Sequence, residues 1–283
     1  MRFPTTPKLH KIEWLNMPSY KGETINPIRA CDRDGNVGWH CEHASTGCDA
    51  CYAEAIDLRF GLGHGYKKQN LTGGTVTPFL DEKMLAKPLH WKQPRAIFWN
   101  DMSDGFGEWV QRAWIQAIFN QAFAAPRHRH IFLTKRPERM AAELAAWNRV
   151  GASFPFWLGT TVENQAMADE RIPYLLKCPA AVRFLSIEPM LGPVNILPWF
   201  DEDPLSSTAE KFWVIVGPET GPRRRSCDPE WIRGIVDQCA AAGVPCFVKA
   251  FGIYDGPKFR ISKAPAEWPE WARTREFPEV FHG

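Results

Sequence analysis

The chain has 283 residues, 45% of them hydrophobic, and a formal net charge of +2. That length buries one large core or two small ones, and a charge so near neutral argues against a protein whose main task is to coat nucleic acid. No apolar run approaches membrane-spanning length, and the opening Met1-Arg-Phe-Pro-Thr-Thr-Pro7 has no secretory hydrophobic region, which predicts a cytoplasmic protein with no membrane partner.

In chain order, the first expected element is a strand near Ile25–Ile28. It leads into Cys41-Glu-His-Ala-Ser-Thr-Gly-Cys48-Asp-Ala-Cys51, a short loop that runs into a helix beginning near Cys51. The C-x6-C-x2-C spacing offers three thiolates where zinc staples and electron-transfer clusters want four. Three suit a [4Fe–4S] cluster whose fourth iron is left open to a substrate or cofactor. Cys31, His40 or His43 would complete a zinc site instead, and Cys31 as a fourth cluster ligand would close the open iron. One of the two histidines is expected to tune the cluster by hydrogen bonding. Gly47 reads as a turn position, and Glu54 as a partner for a basic residue or for the helix N-terminus.

From residue 96 strands and helices alternate. Apolar runs at Ala96–Trp99, His130–Leu133, Phe156–Gly159, Val182–Leu185, Trp213–Gly217 and Cys246–Val248 are separated by helical stretches such as Trp109–Ala125, Pro137–Asn148 and Asn164–Lys177. This is the pattern of βα units whose parallel sheet is covered on both faces. The connection after Pro189 is irregular. The last helix has Asp228 as N-cap, Pro229 in its first turn and Gly243 as C-cap, with Ile232, Ile235 and Cys239 on its apolar stripe. Cys246 reads as a buried strand residue, and Cys178 and Cys227 as isolated loop positions. The expected fold is α/β, a partial or complete TIM-like barrel of six to seven parallel strands, with an open doubly wound sheet as the alternative. The chain reads as a single domain over 1–283. Its barrel core spans 12–252 and carries the cysteine loop 41–51, and an extension over 253–283 covers the barrel.

Nearly every apolar run ends in polar residues: Asn100, Asp101, Ser103 and Asp104; Lys135 and Arg136; Thr160, Thr161 and Glu163; Ser186 and Glu188; Glu219 and Thr220; Lys249. In barrels and open α/β sheets the carboxyl edge of the strands is where the ligand sits, so the set reads as one site.

Beyond the cysteines, the segments Phe98-Trp-Asn-Asp-Met-Ser-Asp104, Leu133-Thr-Lys-Arg-Pro-Glu-Arg-Met140, Leu158-Gly-Thr-Thr-Val-Glu-Asn164, Arg183-Phe-Leu-Ser-Ile-Glu-Pro189, Trp213-Val-Ile-Val-Gly-Pro-Glu219 and Phe247-Val-Lys249 follow in order. With them the chain resembles the phage-associated three-cysteine-motif proteins, a radical-SAM-like family. The resemblance implies a radical-SAM type of barrel and S-adenosylmethionine as cofactor beside a [4Fe–4S] cluster held by Cys41, Cys48 and Cys51. It implies a methionyl-amine contact from one of Asn100, Asp101, Ser103 and Asp104, and a ribose contact from Glu163. Lys135 and Arg136 would meet a carboxylate or phosphate, Thr161 would join the cofactor-binding set, and Tyr52 would pack over adenine or wall off the cluster. Glu188, Glu219 and Lys249 would form the catalytic set on the substrate side. The sequence departs from the common radical-SAM pattern in its six-residue first gap and in lacking Gly-Gly-Glu after the second strand.

Basic clusters occur at Lys67-Lys68, Arg127-His-Arg-His130 and Arg223-Arg-Arg225, the last close to a strand end. With the phage association they make a nucleotide or nucleobase the expected substrate, with another small molecule as the fallback, and DNA an expected partner. A base in duplex DNA would have to be flipped out. The resemblance also implies an electron donor such as flavodoxin or ferredoxin and a phage-infected or prophage-bearing host cell. Two readings stand against it: a zinc-stapled, non-catalytic nucleic-acid-binding protein, and an electron-transfer iron–sulfur protein.

Overall fold

A computed structural model describes residues 9–147, 154–201, 212–221, 223–255 and 258–279. Strand β1 (Lys21–Ile25) is followed by a small antiparallel sheet of β2 (Ile28–Asp32), β3 (Val37–Gly38) and β4 (Val76–Leu80). Between β3 and β4 come the cysteine loop, α1 (Tyr52–Phe60) and α2 (Lys68–Thr72). After α3 (Glu82–Leu85) and α4 (Lys87–His90), five βα steps follow: β5 (Arg95–Trp99) and α5 (Arg112–Ala124), β6 (Arg129–Thr134) and α6 (Pro137–Ala146), β7 (Trp157–Thr161) and α7 (Gln165–Leu176), β8 (Val182–Ile187) and α8 (Leu197–Asp201), β9 (Phe212–Val216) and α9 (Pro229–Ala242). Strand β10 (Cys246–Val248) and the hairpin β11 (Phe251–Asp255) and β12 (Lys258–Ser262) end the series.

Seven strands form one parallel sheet in the order β1-β5-β6-β7-β8-β9-β10. With right-handed crossovers, an order that never reverses places the helices on one face. A doubly wound sheet reverses its order once, so that alternative is excluded. The uncovered face curls on itself, and the sheet is a half-barrel. Residues alternate between the two faces with the period of two that a strand imposes. Ile97, Trp99, Phe132, Leu158, Leu185, Val214 and Val248 pack outward against the helices. Ala96, Phe98, Ile131, Trp157, Phe184, Trp213, Ile215 and Phe247 point into the concave face, where Trp14, Leu15 and Met17 from the N-terminal segment close the floor.

Several boundaries differ from expectation for local reasons. The strand expected near Ile25–Ile28 is two strands, because Pro27 cannot donate a ladder hydrogen bond and the chain changes sheets there. Of the expected helix Pro137–Asn148, Asn148 lies outside the described residues. The last helix is capped as expected: Asp228 accepts from the Glu230 amide, and Gly243 adopts φ 65°. Cys178 and Cys227 lie in connections as expected, and both are buried in the core. In the tail, Val248 N–H donates to Thr274 O at 2.9 Å and Glu276 N–H to Cys246 O at 2.9 Å, so residues 274–276 cover the otherwise open edge of β10. Among the described residues no helix is long and apolar enough to cross a membrane.

Candidate functional site

Past the last apolar residue of each strand, the concave register continues into polar side chains. Asn100 follows Phe98, Lys135 follows Leu133, Thr161 follows Gly159, Glu188 follows Ser186, and Glu219 and Lys249 follow Gly217 and Phe247. These side chains line a cavity of about 830 Å³ at the carboxyl edge of the sheet. The cysteine loop roofs it: Cys41, Cys48, Cys51 and Tyr52 face the same space as Asn100, Asp101, Ser103, Asp104, Lys135, Thr161, Glu188, Glu219 and Lys249. Of the site residues expected from sequence, Arg136, Thr160 and Glu163 are not walls of this cavity.

Glu163 is instead fully buried beneath the loop. Its Oε1 accepts from Ser45 Oγ at 2.6 Å and Lys135 Nζ at 2.8 Å, and its Oε2 from an Arg171 guanidinium N–H at 2.9 Å. Burial alone would raise its pKa; Lys135 and Arg171 outweigh that and hold it below the usual carboxylate range. Three of this carboxylate's four acceptor directions are taken by the fold, so the contacts it makes here are structural. Gly47 has its reason here. It is not among the positive-φ glycines, and a Cβ on it would collide with Glu163 Oε1 and Cγ. It stands in the tight turn Thr46–Cys48 as expected, closed by Cys48 N–H donating to Ser45 O at 2.9 Å, and what requires glycine there is close approach rather than a left-handed backbone.

Three further contacts hold the loop over the strand ends. The Arg136 guanidinium bridges Asp104 Oδ2 (3.0 Å) and Glu42 O (3.1 Å). The Arg225 guanidinium grips both oxygens of Glu219 and donates to Thr46 O at 2.9 Å, with Asp49 Oδ2 3.6 Å away. Tyr52 Oη donates to Asp101 O at 2.7 Å. The thiols of Cys41, Cys48 and Cys51 are thereby fixed relative to the ends of β5, β6, β7 and β9. Sequence reading missed Ser45, Arg171 and Arg225 as loop supports. The partner of Ser45 lies 118 residues away and the loop partner of Arg225 179 residues away, while Arg171 supports the loop only through Glu163.

Burial, first of all, pushes the Cys41 thiol up to about 12 and the Cys51 thiol above its ordinary value, with Asp104 and Cys51 adding to the first and Cys48 to the second. Buried thiols of this kind become thiolates when a cation compensates them. Among the described residues no three His, Cys, Asp or Glu side chains converge as they would around a single metal ion. A cubane asks for a wider set, because each thiolate binds a different iron. Of the candidate extra ligands, Cys31 and His43 are engaged elsewhere, while His40 Nε2 is buried without a hydrogen-bond partner. Cys31 Sγ faces Thr77 O at 3.6 Å within the small sheet. His43 Nε2 pairs with Glu54 Oε2 at 2.9 Å. His40 sits edge-on to Tyr66 and Trp109, and burial holds its pKa down at about 4.

The strand-end residues divide into engaged and free. All four acceptor directions of Asp104 are used, by Thr134 Oγ1, Phe106 N–H, Lys135 N–H and Arg136. Asp101 accepts from Asn26 Nδ2 at 2.6 Å, and burial lifts its pKa. Lys249 Nζ sits 2.7 and 2.8 Å from the two carboxylate oxygens of Glu188. Burial would raise the Glu219 pKa, but its bonds to Arg225 hold it below the usual range. By contrast, Asn100 Oδ1 and Ser103 Oγ are buried without a hydrogen-bond partner. Asn100 adopts φ 58°, a left-handed conformation that asparagine tolerates better than most residues. Orphaned buried acceptors that face a cavity are what an absent ligand leaves behind.

Two of the three basic clusters are largely committed to contacts within the fold. Arg225 is committed to Glu219 and the loop, and Arg224 donates to Gly221 O and Phe259 O. His128 and His130 are buried, and burial lowers both pKa values, that of His130 to about 4. Arg127 donates to the carbonyls of Leu89 and Trp91.

A family model described as a protein of unknown function, DUF5131, matches residues 20–270, and the chain belongs to that family. No curated protein and no solved structure matches it.

Proposed function

We propose that this member of DUF5131 is a radical S-adenosylmethionine enzyme that modifies or rearranges a nucleotide or nucleobase. The observation that carries the reading is the convergence of the three C-x6-C-x2-C thiols and the polar strand ends on one cavity of about 830 Å³ in a parallel half-barrel. The donor set fits the cofactors. Cys41, Cys48 and Cys51 would hold a [4Fe–4S] cluster and leave one iron open. Of the four candidates for the methionyl amine, Asn100 and Ser103 are favoured, since Asp101 and Asp104 already have partners.

When bound, this pair of cofactors supplies a 5′-deoxyadenosyl radical and methionine, given one electron from a donor of the flavodoxin or ferredoxin kind. The chain's own residues do the rest. Phe98, Leu133 and Trp14 make the cavity floor apolar and exclude water from the reacting centre. Glu188 and Lys249 share a short ion pair inside the cavity, which puts an acid–base pair of side chains on the substrate side. Thr161 and Ser186 add hydroxyl groups on the same wall.

The reading is tested by incubating anaerobically reconstituted protein with dithionite and S-adenosylmethionine and quantifying 5′-deoxyadenosine. Formation of the nucleoside in wild type and its loss in Cys48→Ala is the expected result. Reconstituted brown protein that forms none would sink it. A colourless protein carrying stoichiometric zinc would do the same.

A further inference from the structure

Helix α1 presents Tyr52, Ile56 and Phe60 at i, i+4 and i+8, the spacing of a face that a helix normally buries. Here the three are 45%, 39% and 70% exposed. Tyr52 and Ile56 line the mouth of the cavity, and the hydrogen bond from Tyr52 to Asp101 O fixes the inner end of the stripe. The Arg59 guanidinium lies 4.8 Å from the Phe60 ring centroid at the outer end. The stripe is about 12 Å long at the rise of an α-helix, room for two or three stacked bases.

The charge around this mouth is unbalanced in one direction. Four of the five acids lining the cavity have a cationic partner, Glu23 with Arg95, Asp104 with Arg136, Glu188 with Lys249 and Glu219 with Arg225, while Asp101 accepts from the neutral Asn26, so two lysines face one acid without a cation. Lys11 and Lys21 line the same cavity, Lys21 from the amino end of β1, and make no ion pair with any described residue. Exposed rings beside uncommitted lysines are the elements that hold single-stranded nucleic acid, bases on the rings and phosphates on the cations. An acidic peptide would satisfy the lysines but has no reason to prefer flat aromatic faces, and a duplex keeps its base faces stacked away.

We infer that the exposed face of α1, with Lys11 and Lys21, is the docking surface for a single-stranded nucleic acid whose target nucleotide enters the cavity. That the strand is the substrate rests on the radical reading; that it binds does not.

The test is fluorescence anisotropy with short labelled oligonucleotides: single-stranded DNA, single-stranded RNA, duplex DNA and an acidic peptide of matched charge. It is run on reconstituted and on metal-stripped protein, so a failure to bind and a failure to build a cluster are read separately. Single strands are expected to bind more tightly than duplex or peptide, and more weakly as salt rises. Phe60→Ala, an exposed change that leaves the fold intact, is expected to weaken binding roughly five- to a hundred-fold by removing one stacking face. Lys21→Glu should weaken it as well and flatten the salt dependence. The DNA and RNA arms identify which strand is preferred. Duplex or peptide binding as tight as single strands, or wild-type affinity in both variants, overturns the inference.

Discussion

Glu163→Ala is expected to cost about 3–5 kcal/mol of stability, because it strands the buried Arg171 guanidinium and the partly buried Lys135 that share this carboxylate. Lys135 and Arg171 both lean on Glu163, and Arg171 is itself almost fully buried. For a chain of this size the loss corresponds to a fall in Tm on the order of 10 °C by thermal unfolding. The sign of the pH dependence follows from the same contacts. Glu163 is held below its ordinary value of 4.5, so its contribution is complete above pH 4.5 and is lost as pH falls below that toward its native value. Glu163→Gln should therefore show a shallower loss of Tm in that acid range than wild type. Gly47→Ala approaches the contact from the other side. Its methyl group would occupy the space of the Glu163 carboxylate, and the loop would lift from the end of β7. A Tm within a degree of wild type for both Glu163→Ala and Gly47→Ala would show that Glu163 is not the support described.

The second large effect concerns the loop without the core. Arg225→Ala is expected to speed the loss of iron to a chelator roughly 10- to 100-fold, the scale seen when residues that orient metal ligands are removed. The guanidinium is more than one-third exposed, but it joins Glu219 at the end of β9 to Thr46 and Asp49 in the middle of the cysteine loop. Removing it frees the stretch between Cys41 and Cys48 on its β9 side, while Ser45 and Arg136 still hold the other side. Arg225→Lys keeps the charge but loses the planar grip on two partners, and should fall between Arg225→Ala and wild type. A role confined to fold stability would lower Tm in proportion and leave chelator kinetics unchanged once corrected for unfolding. Unchanged iron retention in Arg225→Ala would remove Arg225 from the account.

These two residues also mark how far the sequence could be read. The polar strand ends were legible because a strand has a period of two. Asn100, Lys135, Thr161, Glu188, Glu219 and Lys249 keep step with the apolar residues of the concave face, and the carboxyl edge of a parallel sheet gathers them. Glu163 keeps the same step and misled for that reason. Register predicts direction, but the cysteine loop arrives from more than a hundred residues away and covers it. Arg225 read as one member of a basic cluster near a strand end, since its loop partner Thr46 lies 179 residues distant in the chain. The small sheet of β2, β3 and β4 escaped notice because β2 pairs with β4 across the whole cysteine loop and α1. His128 and His130 read as part of a basic cluster because charge runs do not reveal burial. Trp99 Nε1 donates to His130 Nδ1, and the ring is a neutral member of the core.

The central claim is that three thiols hold a cluster with one open iron inside this cavity. Electron paramagnetic resonance of the reduced, anaerobically reconstituted protein, recorded before and after adding S-adenosylmethionine, tests it most directly. The account predicts a [4Fe–4S]⁺ signal whose g-values shift on addition, since the cofactor would enter the open coordination position. A cluster signal indifferent to S-adenosylmethionine, or no iron signal in protein that has bound zinc, would contradict it.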